Sequence, residues 1–144
     1  MMNALYNQKI LELAGNIERI GKLEAPVGDY AAASAVSKLC GSKVSVELCL
    51  KDGKVSDFAH QVEACALGQA SSSVMAREII GCTPAELHAV AAEMRAMLKE
   101  NAPPPGNKWQ DLEVLEPVRA YNNRHASTLL TFDAVEDCLR QLAH

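Results

Sequence analysis

The sequence lacks the features by which several common classes of protein are recognised. Its 14 lysines and arginines are scattered among 18 acidic residues, for a formal net charge of -4, so no basic surface for nucleic acid or anionic lipid is expected. No stretch approaches the roughly 18 apolar residues of a membrane span, and the N-terminus has no basic start followed by an apolar core. We therefore expect a cytoplasmic protein that binds neither nucleic acid nor membrane.

The cysteines do not form the dense, even-numbered pattern of a secreted disulfide framework. There are five of them, widely spaced, so reduced thiols are expected. Cys49 falls on the polar side of a predicted strand, Cys82 lies at a helix junction and Cys138 lies within a helical run. Each of these three is expected to be a small apolar residue, which leaves Cys40 and Cys65 as candidates for chemistry.

Length and composition favour one domain spanning residues 1–144. A chain of 144 residues that is 49% hydrophobic can bury roughly two thirds of its unfolded surface in a single core. Near the N-terminus, apolar residues recur at steps of four and three, which predicts an amphipathic helix ending near Gly21. The residues of this pattern are Tyr6, Ile10, Leu13, Ile17 and Ile20.

A β-hairpin is predicted in the middle of the chain, after an alanine-rich first strand at 30–37. Apolar and polar residues alternate over 43–51, and a turn follows at Asp52-Gly53. A three-residue turn, 51–53, with Gly53 in the left-handed conformation would place Leu48 on the same face as Phe58 and Val62. The sequence therefore predicts a bulged hairpin.

Helices are predicted for most of the remaining chain. A run of small residues predicts a helix over 66–80, ending at Gly81, and Thr83-Pro84-Ala85-Glu86 supplies a cap, a first-turn proline and a capping-box glutamate for the next helix. After a proline-rich spacer, further helices are predicted from Trp109 to Tyr121 and from about Ser127 or Thr128 to the end. The predicted fold class is α+β: a small antiparallel sheet of about three strands with helices packed on one face.

Cys40 and Cys65 are predicted to lie at the same end of the sheet. Cys40 precedes the first strand of the hairpin and Cys65 follows the second, and Cys65 also precedes a helix whose free N–H groups favour a thiolate. His125 lies in a polar segment between two predicted helices, where its imidazole can point inward. We predict Cys40, Cys65 and His125 as metal ligands.

Several of these motifs resemble those of a known family. Cys40-Gly41-Ser42, Ala64-Cys65 before a small-residue helix, the segment 115–119 and His125-Ala126-Ser127 follow one another with the predicted hairpin between the two cysteines. In this order they resemble the iron-sulfur cluster assembly scaffolds of the NifU, IscU and SufU type, over most of the chain. That family has an aspartate where this chain has Ser42, and a third cysteine where it has Ala126.

The resemblance implies an IscU/SufE-like fold and a non-enzymatic scaffold. Such a scaffold receives sulfur from a cysteine desulfurase, binds iron, and holds a labile iron-sulfur cluster, expected to be 2Fe-2S, for transfer to recipient apoproteins. Cys40, Cys65 and His125 would be the ligands, with Ser42 and Arg124 as auxiliary residues, Arg124 supplying positive charge to a bound sulfide or persulfide. A segment that an Hsp70-type chaperone recognises in IscU-like scaffolds is matched here by Leu115, Pro117, Val118 and Arg119. The chain is expected to be a monomer or a homodimer.

Three alternatives stay open at this stage. Two thiolates and one imidazole suit tetrahedral zinc with an open fourth position, which fits a zinc-containing, SufU-like sulfur acceptor for a cysteine desulfurase, with Cys40 or Cys65 accepting the sulfur. A degenerate family member would keep the fold and the partner-binding surfaces without stable metal binding. A Cys-His hydrolase ranks last, because the sequence has no glycine-flanked nucleophile elbow.

Overall fold

Three antiparallel strands and the helices packed against them make up the fold. The computed structural model describes residues 7–143. The sheet has the order β1-β2-β3, and the buried apolar side chains of strands and helices form one continuous core. This confirms the predicted α+β class. In chain order the elements are α1 (Gln8–Ala14), β1 (Asp29–Val36), β2 (Lys43–Lys51), β3 (Lys54–Glu63), α2 (Ala66–Glu78), α3 (Pro84–Lys99), a 3₁₀ helix (Asn107–Ala120) and α4 (Asn122–Leu142).

The hairpin has the predicted faces but a different turn. Its loop is the two-residue turn Asp52-Gly53, with positive φ angles of 55° and 76°, so the predicted three-residue turn is wrong. The extra residue lies in β3 instead, where the register shifts and Ser56 has no partner in the ladder. Because this bulge moves the phase of β3 by one residue, Leu48 still pairs with Phe58 on the buried face.

The N-terminal helix is much shorter than predicted. It ends at Ala14, with Gly15 as its C-cap, rather than near Gly21. Glycine and asparagine are poor helix formers, and the Asn16 side-chain amide donates to the carbonyl of Glu12, 2.6 Å away. The predicted first residue of the pattern, Tyr6, lies outside the described residues.

The chain after α1 runs along the outer edge of β3 instead of continuing as a helix. Ile20 forms a parallel β-bridge with His60. The backbone N–H of His60 donates to the carbonyl of Arg19 at 3.1 Å, and the carbonyl of His60 accepts from the backbone N–H of Gly21 at 2.9 Å. The His60 ring is buried, and its Nε2 donates to the carbonyl of Glu18 at 2.8 Å. Burial lowers the pKa of His60, so a neutral ring holds this segment against the sheet.

The predicted N-terminal cap of α3 is confirmed, whereas the helix that follows α3 is a 3₁₀ helix and not an α-helix. Thr83 Oγ1 accepts from the backbone N–H of Glu86 at 3.2 Å, and Pro84 opens α3. The predicted helix from Trp109 to Tyr121 is a 14-residue 3₁₀ helix. Its buried residues lie three apart, which matches three residues per turn: Trp109, Leu112, Leu115 and Val118.

No helix within the described residues is long and apolar enough to cross a membrane.

The last helix begins earlier than predicted. α4 starts at Asn122, so His125 belongs to its first turns and not to a break between helices. The predicted start at Ser127 or Thr128 is wrong because neither hydroxyl caps a helix. Both donate back to the carbonyl of Arg124, at 3.2 and 2.8 Å, as hydroxyls inside helices do.

Helices α2 and α4 touch through their backbones at Gly68. A Cβ atom at Gly68 would lie 2.9 Å from the carbonyl oxygen of Ser127 and 2.8 Å from the Cβ of Ala64. A Cβ atom essentially never lies this close to an atom to which it is not bonded, so only glycine fits here without a shift of one helix. The small residues of α2 thus serve a close helix contact.

We expect Gly68→Ala to lower the free energy of unfolding by about 1 to 3 kcal/mol. The new methyl group overpacks the α2–α4 contact, and this cost exceeds the stability that alanine adds through its higher helix propensity. Urea unfolding followed by circular dichroism measures the change. Gly106→Ala is the matched control, since a Cβ there meets nothing within 4 Å and φ is -109°. Equal stability of the two variants would contradict the argument.

A candidate cysteine site at one end of the sheet

Cys40 is displayed on a tight loop between β1 and β2. The backbone N–H of Ser37 donates to the carbonyl of Ser42, and that of Gly41 donates to the carbonyl of Ser37, both at 2.8 Å. Gly41 has a φ of +73°, in the left-handed region that glycine adopts readily. These bonds close the loop and leave Cys40 exposed at its tip.

Two serine hydroxyls flank the Cys40 thiol. The sulfur lies 3.4 Å from Ser37 Oγ and 3.0 Å from Ser42 Oγ, and both serines are buried. Because these hydroxyls can donate to a thiolate, they lower the pKa of Cys40 to about 7, with further help from the Arg124 guanidinium. A large fraction of Cys40 is therefore thiolate at neutral pH.

Cys65 occupies a more enclosed position. It is the N-cap residue of α2, it is half-buried, and its thiol lies 3.7 Å from Ser127 Oγ of α4. Lys43, near Cys40, pairs with Glu63, near Cys65, so the two thiols lie at the same end of the sheet. This is the arrangement expected from the hairpin pattern.

His125 is buried beside the 3₁₀ helix. Its Nε2 donates to the carbonyls of Val118 and Arg119, at 3.1 and 3.2 Å, which leaves Nδ1 as the nitrogen with a free lone pair. The ring also lines a cavity of about 520 Å³ that includes Lys99. His125 is thus held by the backbone through one nitrogen and can bind a metal only through the other.

The three predicted ligands do not form a ready-made metal centre. Across residues 7–143, no three histidine, cysteine or acidic side chains come close enough together to hold a metal ion. Neither an iron-sulfur cluster nor the alternative zinc ion has three protein ligands already in place here, so the side chains would have to move to hold either group. Cys40, Cys65 and His125 stay predicted ligands.

The remaining cysteines are core residues, as predicted. Cys49, Cys82 and Cys138 are each fully buried. Burial raises the pKa of all three thiols, that of Cys138 to about 12, so they remain protonated and unreactive at neutral pH.

The segment that resembles a chaperone-recognition site lies in the 3₁₀ helix. Leu115 and Val118 are completely buried, Pro117 is half-buried, and an Arg119 Nη2 donates to the carbonyl of Ala102 at 2.8 Å. A chaperone could bind the apolar side chains of this segment only after the segment leaves the core.

Sequence reasoning missed two residues of the site, Ser37 and Ser127. Ser37 lies three residues before Cys40, a separation at which a turn brings side chains together, so a signal was present. Ser127 gave no such signal, because its contact with Cys65 depends on the packing of α2 against α4.

This chain matches a known family model, and it is similar in sequence to characterised relatives. The family model of the NifU-like N-terminal domain matches residues 5–126, a range that contains Cys40, Cys65 and His125. The iron-sulfur cluster assembly scaffold protein IscU of Thermotoga maritima is 24% identical over 140 residues, which cover 96% of this chain and 95% of that relative.

Solved structures have the same fold. The crystal structure of a nitrogen-fixing NifU-like protein (N-terminal) from Brucella abortus superposes with a TM-score of 0.93 at 60% identity, covering 98% of this chain and 96% of the other. A putative iron-sulfur cluster assembly scaffold protein for the SUF system from Fervidobacterium islandicum superposes with a TM-score of 0.83 at 22% identity, covering 96% and 99%. The second likeness concerns the fold alone.

We expect alkylation of Cys40 by iodoacetamide to reach half its maximal rate near pH 7, because only the thiolate reacts. Ser37→Ala and Ser42→Ala should each move this midpoint to higher pH, since each removes a hydroxyl that stabilises the thiolate. Peptide mapping by mass spectrometry measures the rate at Cys40 alone. Ser34→Ala, on the sheet away from the loop, is the control. A midpoint at about pH 8.5 in the unmodified protein, the value of an unperturbed thiol, would contradict the expectation.

Proposed function

Because this chain belongs to the family of NifU-like N-terminal domains, we propose that it is an iron-sulfur cluster assembly scaffold. Relatives called IscU, from Thermotoga maritima and Streptococcus pyogenes, align with nearly the whole chain, which supports a single scaffold domain over residues 1–144. In this role the protein is not an enzyme. It binds iron and sulfide, holds the cluster as cargo and transfers it to apoproteins.

The observation that carries this proposal is the pair of thiols at one end of the sheet. Cys40 is exposed and has a pKa of about 7, and Cys65 lies at the start of α2 with its thiol half-buried. Thiolates are the usual protein ligands of iron-sulfur clusters, so both cysteines can bind iron from one side. Nδ1 of His125 would supply the third protein ligand of a 2Fe-2S cluster.

Ser42 supports this site without acting as a metal ligand. Its hydroxyl lies 3.0 Å from the Cys40 sulfur, where it can donate to the thiolate. Arg124 adds a positive charge near the same sulfur, which favours bound sulfide and other anionic sulfur species. An incomplete set of protein ligands suits a cluster that must be released, and a partner can supply the missing ligand during assembly.

The partner that this function requires is a cysteine desulfurase. Its persulfide would reach Cys40 more readily than Cys65, since Cys40 is exposed and Cys65 is half-buried. Recipient apoproteins would then take the finished cluster, and an Hsp70-type chaperone would require the 3₁₀ segment to open. The scaffold could act as a monomer or a homodimer.

A second candidate function is sulfur acceptance without a stored cluster, and the low pKa of the exposed Cys40 favours it. The Cys40 thiolate would attack the outer sulfur of the desulfurase persulfide. A new S–S bond forms at Cys40, the S–S bond of the donor breaks, and the donor cysteine leaves as a thiolate. This step needs only the nucleophile and the persulfide.

We expect anaerobic incubation with a cysteine desulfurase, cysteine and ferrous iron to load iron and acid-labile sulfide onto the unmodified protein. Cys40→Ala, Cys65→Ala and His125→Ala should each lose most of both, because each removes a ligand. Metal analysis, sulfide analysis and visible absorption measure the loading. Cys82→Ala and His88→Ala are controls that change the same residue types away from the site.

Loading that is unchanged in all three ligand variants would contradict the proposed ligand set. No cluster in the unmodified protein, with the desulfurase active, would contradict the scaffold itself. That result would favour sulfur acceptance or a member of the family that only binds partners.

Sulfur acceptance has its own test, carried out without iron. If Cys40 is the acceptor, incubation with the desulfurase and cysteine adds one sulfur atom, about 32 Da, to the peptide that contains Cys40. Ser37→Ala and Ser42→Ala should slow this addition at pH 7, because less Cys40 is thiolate. A persulfide that forms on Cys65 and not on Cys40 would reverse the assignment.

A further inference from the structure

Strand β1 forms a free edge of the sheet, and the proposed scaffold function does not use it. The strand order β1-β2-β3 leaves the outer side of β1 without a partner strand among residues 7–143. Helix α4 contacts both β1 and β2, so it lies beneath the sheet and not along this edge. The outer edge of β3 is different, because the segment after α1 lies along it and bonds to His60. Within the described part of the chain, only β1 has an edge open to another strand.

Every second residue of β1 directs its backbone N–H and C=O groups outward from this edge. Just beyond β1, the Ser37 backbone N–H donates inward, to the carbonyl of Ser42 at 2.8 Å. Inward-facing and outward-facing residues alternate in an antiparallel strand, so the even-numbered residues of β1 face outward. These are Tyr30, Ala32, Ser34 and Val36. The carbonyl of Ala32 also accepts from Gln141 Nε2 at 2.9 Å, but its second lone pair leaves room for another bond.

The edge has none of the features that keep natural edge strands apart. Its register with β2 is unbroken from Asp29 to Val36, so no bulge turns it away from a neighbour. Residues 30–36 include no proline and no charged residue. An unpaired edge of this kind readily adds another strand.

The exposed apolar side chains near this edge are arranged symmetrically about Ala33. The described residues leave seven large apolar side chains exposed, and four of them lie in or beside β1. Tyr30 and Val36 lie three residues before and after Ala33, with exposed fractions of 43% and 57%. Val27 and Leu39 lie six residues before and after it, with exposed fractions of 71% and 76%. Two β1 strands paired antiparallel about Ala33 would therefore bring each of these residues to its counterpart.

We propose that β1 pairs with β1 of a second copy of this chain, antiparallel and with Ala33 at the two-fold axis. In this register Tyr30 of one copy pairs with Val36 of the other. Ala32 likewise pairs with Ser34, so every outward-facing residue has a partner. The two three-stranded sheets form one continuous sheet, and one surface supplies both halves of the interface, as a two-fold dimer requires.

Charges at the two ends of β1 favour a second copy in the antiparallel direction. Asp29 begins β1, and Lys38 lies two residues beyond its end. With Ala33 at the axis, Asp29 lies opposite Ser37 of the second copy, which directly precedes Lys38. A carboxylate and an ammonium group thus meet at both ends of the interface, whereas a parallel pairing would bring like charges together. A strand of an unrelated protein would give no reason for the symmetric spacing of the apolar side chains.

The interface is small, so the dimer is weak and reversible. The pairing of aromatic Tyr30 with β-branched Val36 stabilises the joined sheet, but an interface built on one pair of strands lies at the small end of the range for specific complexes. Because Cys40 follows β1, the two Cys40 loops lie at opposite ends of the interface. Each copy keeps its own cysteine site, and the pairing does not depend on iron, sulfide or the scaffold function.

Sedimentation velocity of the full chain, in the presence of a reductant, tests the proposal. We expect the mass to rise from one chain toward two between about 1 μM and 1 mM. Val36→Glu should weaken this association at least about tenfold, because the new carboxylate lies near Tyr30 of the second copy, whose hydroxyl is bonded to Glu47. Leu11→Glu is the matched control. It places the same charge on a similarly exposed apolar residue of α1 and should leave the association unchanged.

Disulfide cross-linking tests the register, in a chain whose more accessible thiols are removed by Cys40→Ser and Cys65→Ser. At the axis, Ala33 of one copy faces Ala33 of the other with their Cα atoms about 4.5 Å apart, which suits a disulfide. Ala33→Cys should therefore form a linked dimer when diamide is added. Ala35→Cys is the control, because it lies on the same face but its two copies are about 13 Å apart along the strands.

A single-chain mass at every concentration would overturn the proposal and leave the edge to a strand of another protein. Association that Val36→Glu weakens no more than Leu11→Glu does would place the interface elsewhere, which also overturns it. The proposed register is overturned if Ala35→Cys links as readily as Ala33→Cys.

Discussion

The contact between the backbones of α2 and α4 at Gly68 fixes the geometry of the cysteine site. A methyl group at this position would lie 2.9 Å from the carbonyl oxygen of Ser127, so the two helices lie too close together there to admit a side chain. Cys65 is only three residues before Gly68 and lies at the N-terminus of the same helix. The close contact therefore brings its thiol to within 3.7 Å of Ser127 Oγ and limits how far that thiol can move.

Cys40 is positioned by different means, and the two thiols differ in character as a result. The strand pairing of the hairpin brings Cys40 to the same end of the sheet, but the loop that carries it is held by local contacts: its own backbone hydrogen bonds and those between the Cys40 thiol and the hydroxyls of Ser37 and Ser42. Cys40 is exposed and Cys65 is half-buried. Under the proposed function, an incoming sulfur or iron atom would meet the exposed Cys40 thiol before the more enclosed Cys65 thiol.

Local signals in the sequence predicted the parts of the fold that depend on neighbouring residues. The Thr83 cap, the faces of the hairpin strands and the class of the fold are of this kind, and so is the placement of Cys40 and Cys65 at one end. The start of α4 could not be predicted in this way. Its first turns are polar and contain buried His125, which is held by carbonyls of the 3₁₀ helix and not by anything nearby in the helix pattern. The serines around the thiols were missed or underrated because hydroxyl groups become informative only once the sulfur atoms beside them are known.

The serine at position 42 gives Cys40 a different electrostatic environment from the one that an aspartate would give. A carboxylate beside a thiol raises the pKa of the thiol, because the two negative charges repel, whereas a hydroxyl that donates to the sulfur lowers it. Here Ser37, Ser42 and Arg124 all lower the pKa of the Cys40 thiol, which is about 7. A hydroxyl is also a much weaker metal ligand than a carboxylate. Ser42 thus favours the thiolate form of Cys40, and under the proposed function it would favour both the acceptance of sulfur and the release of the cluster.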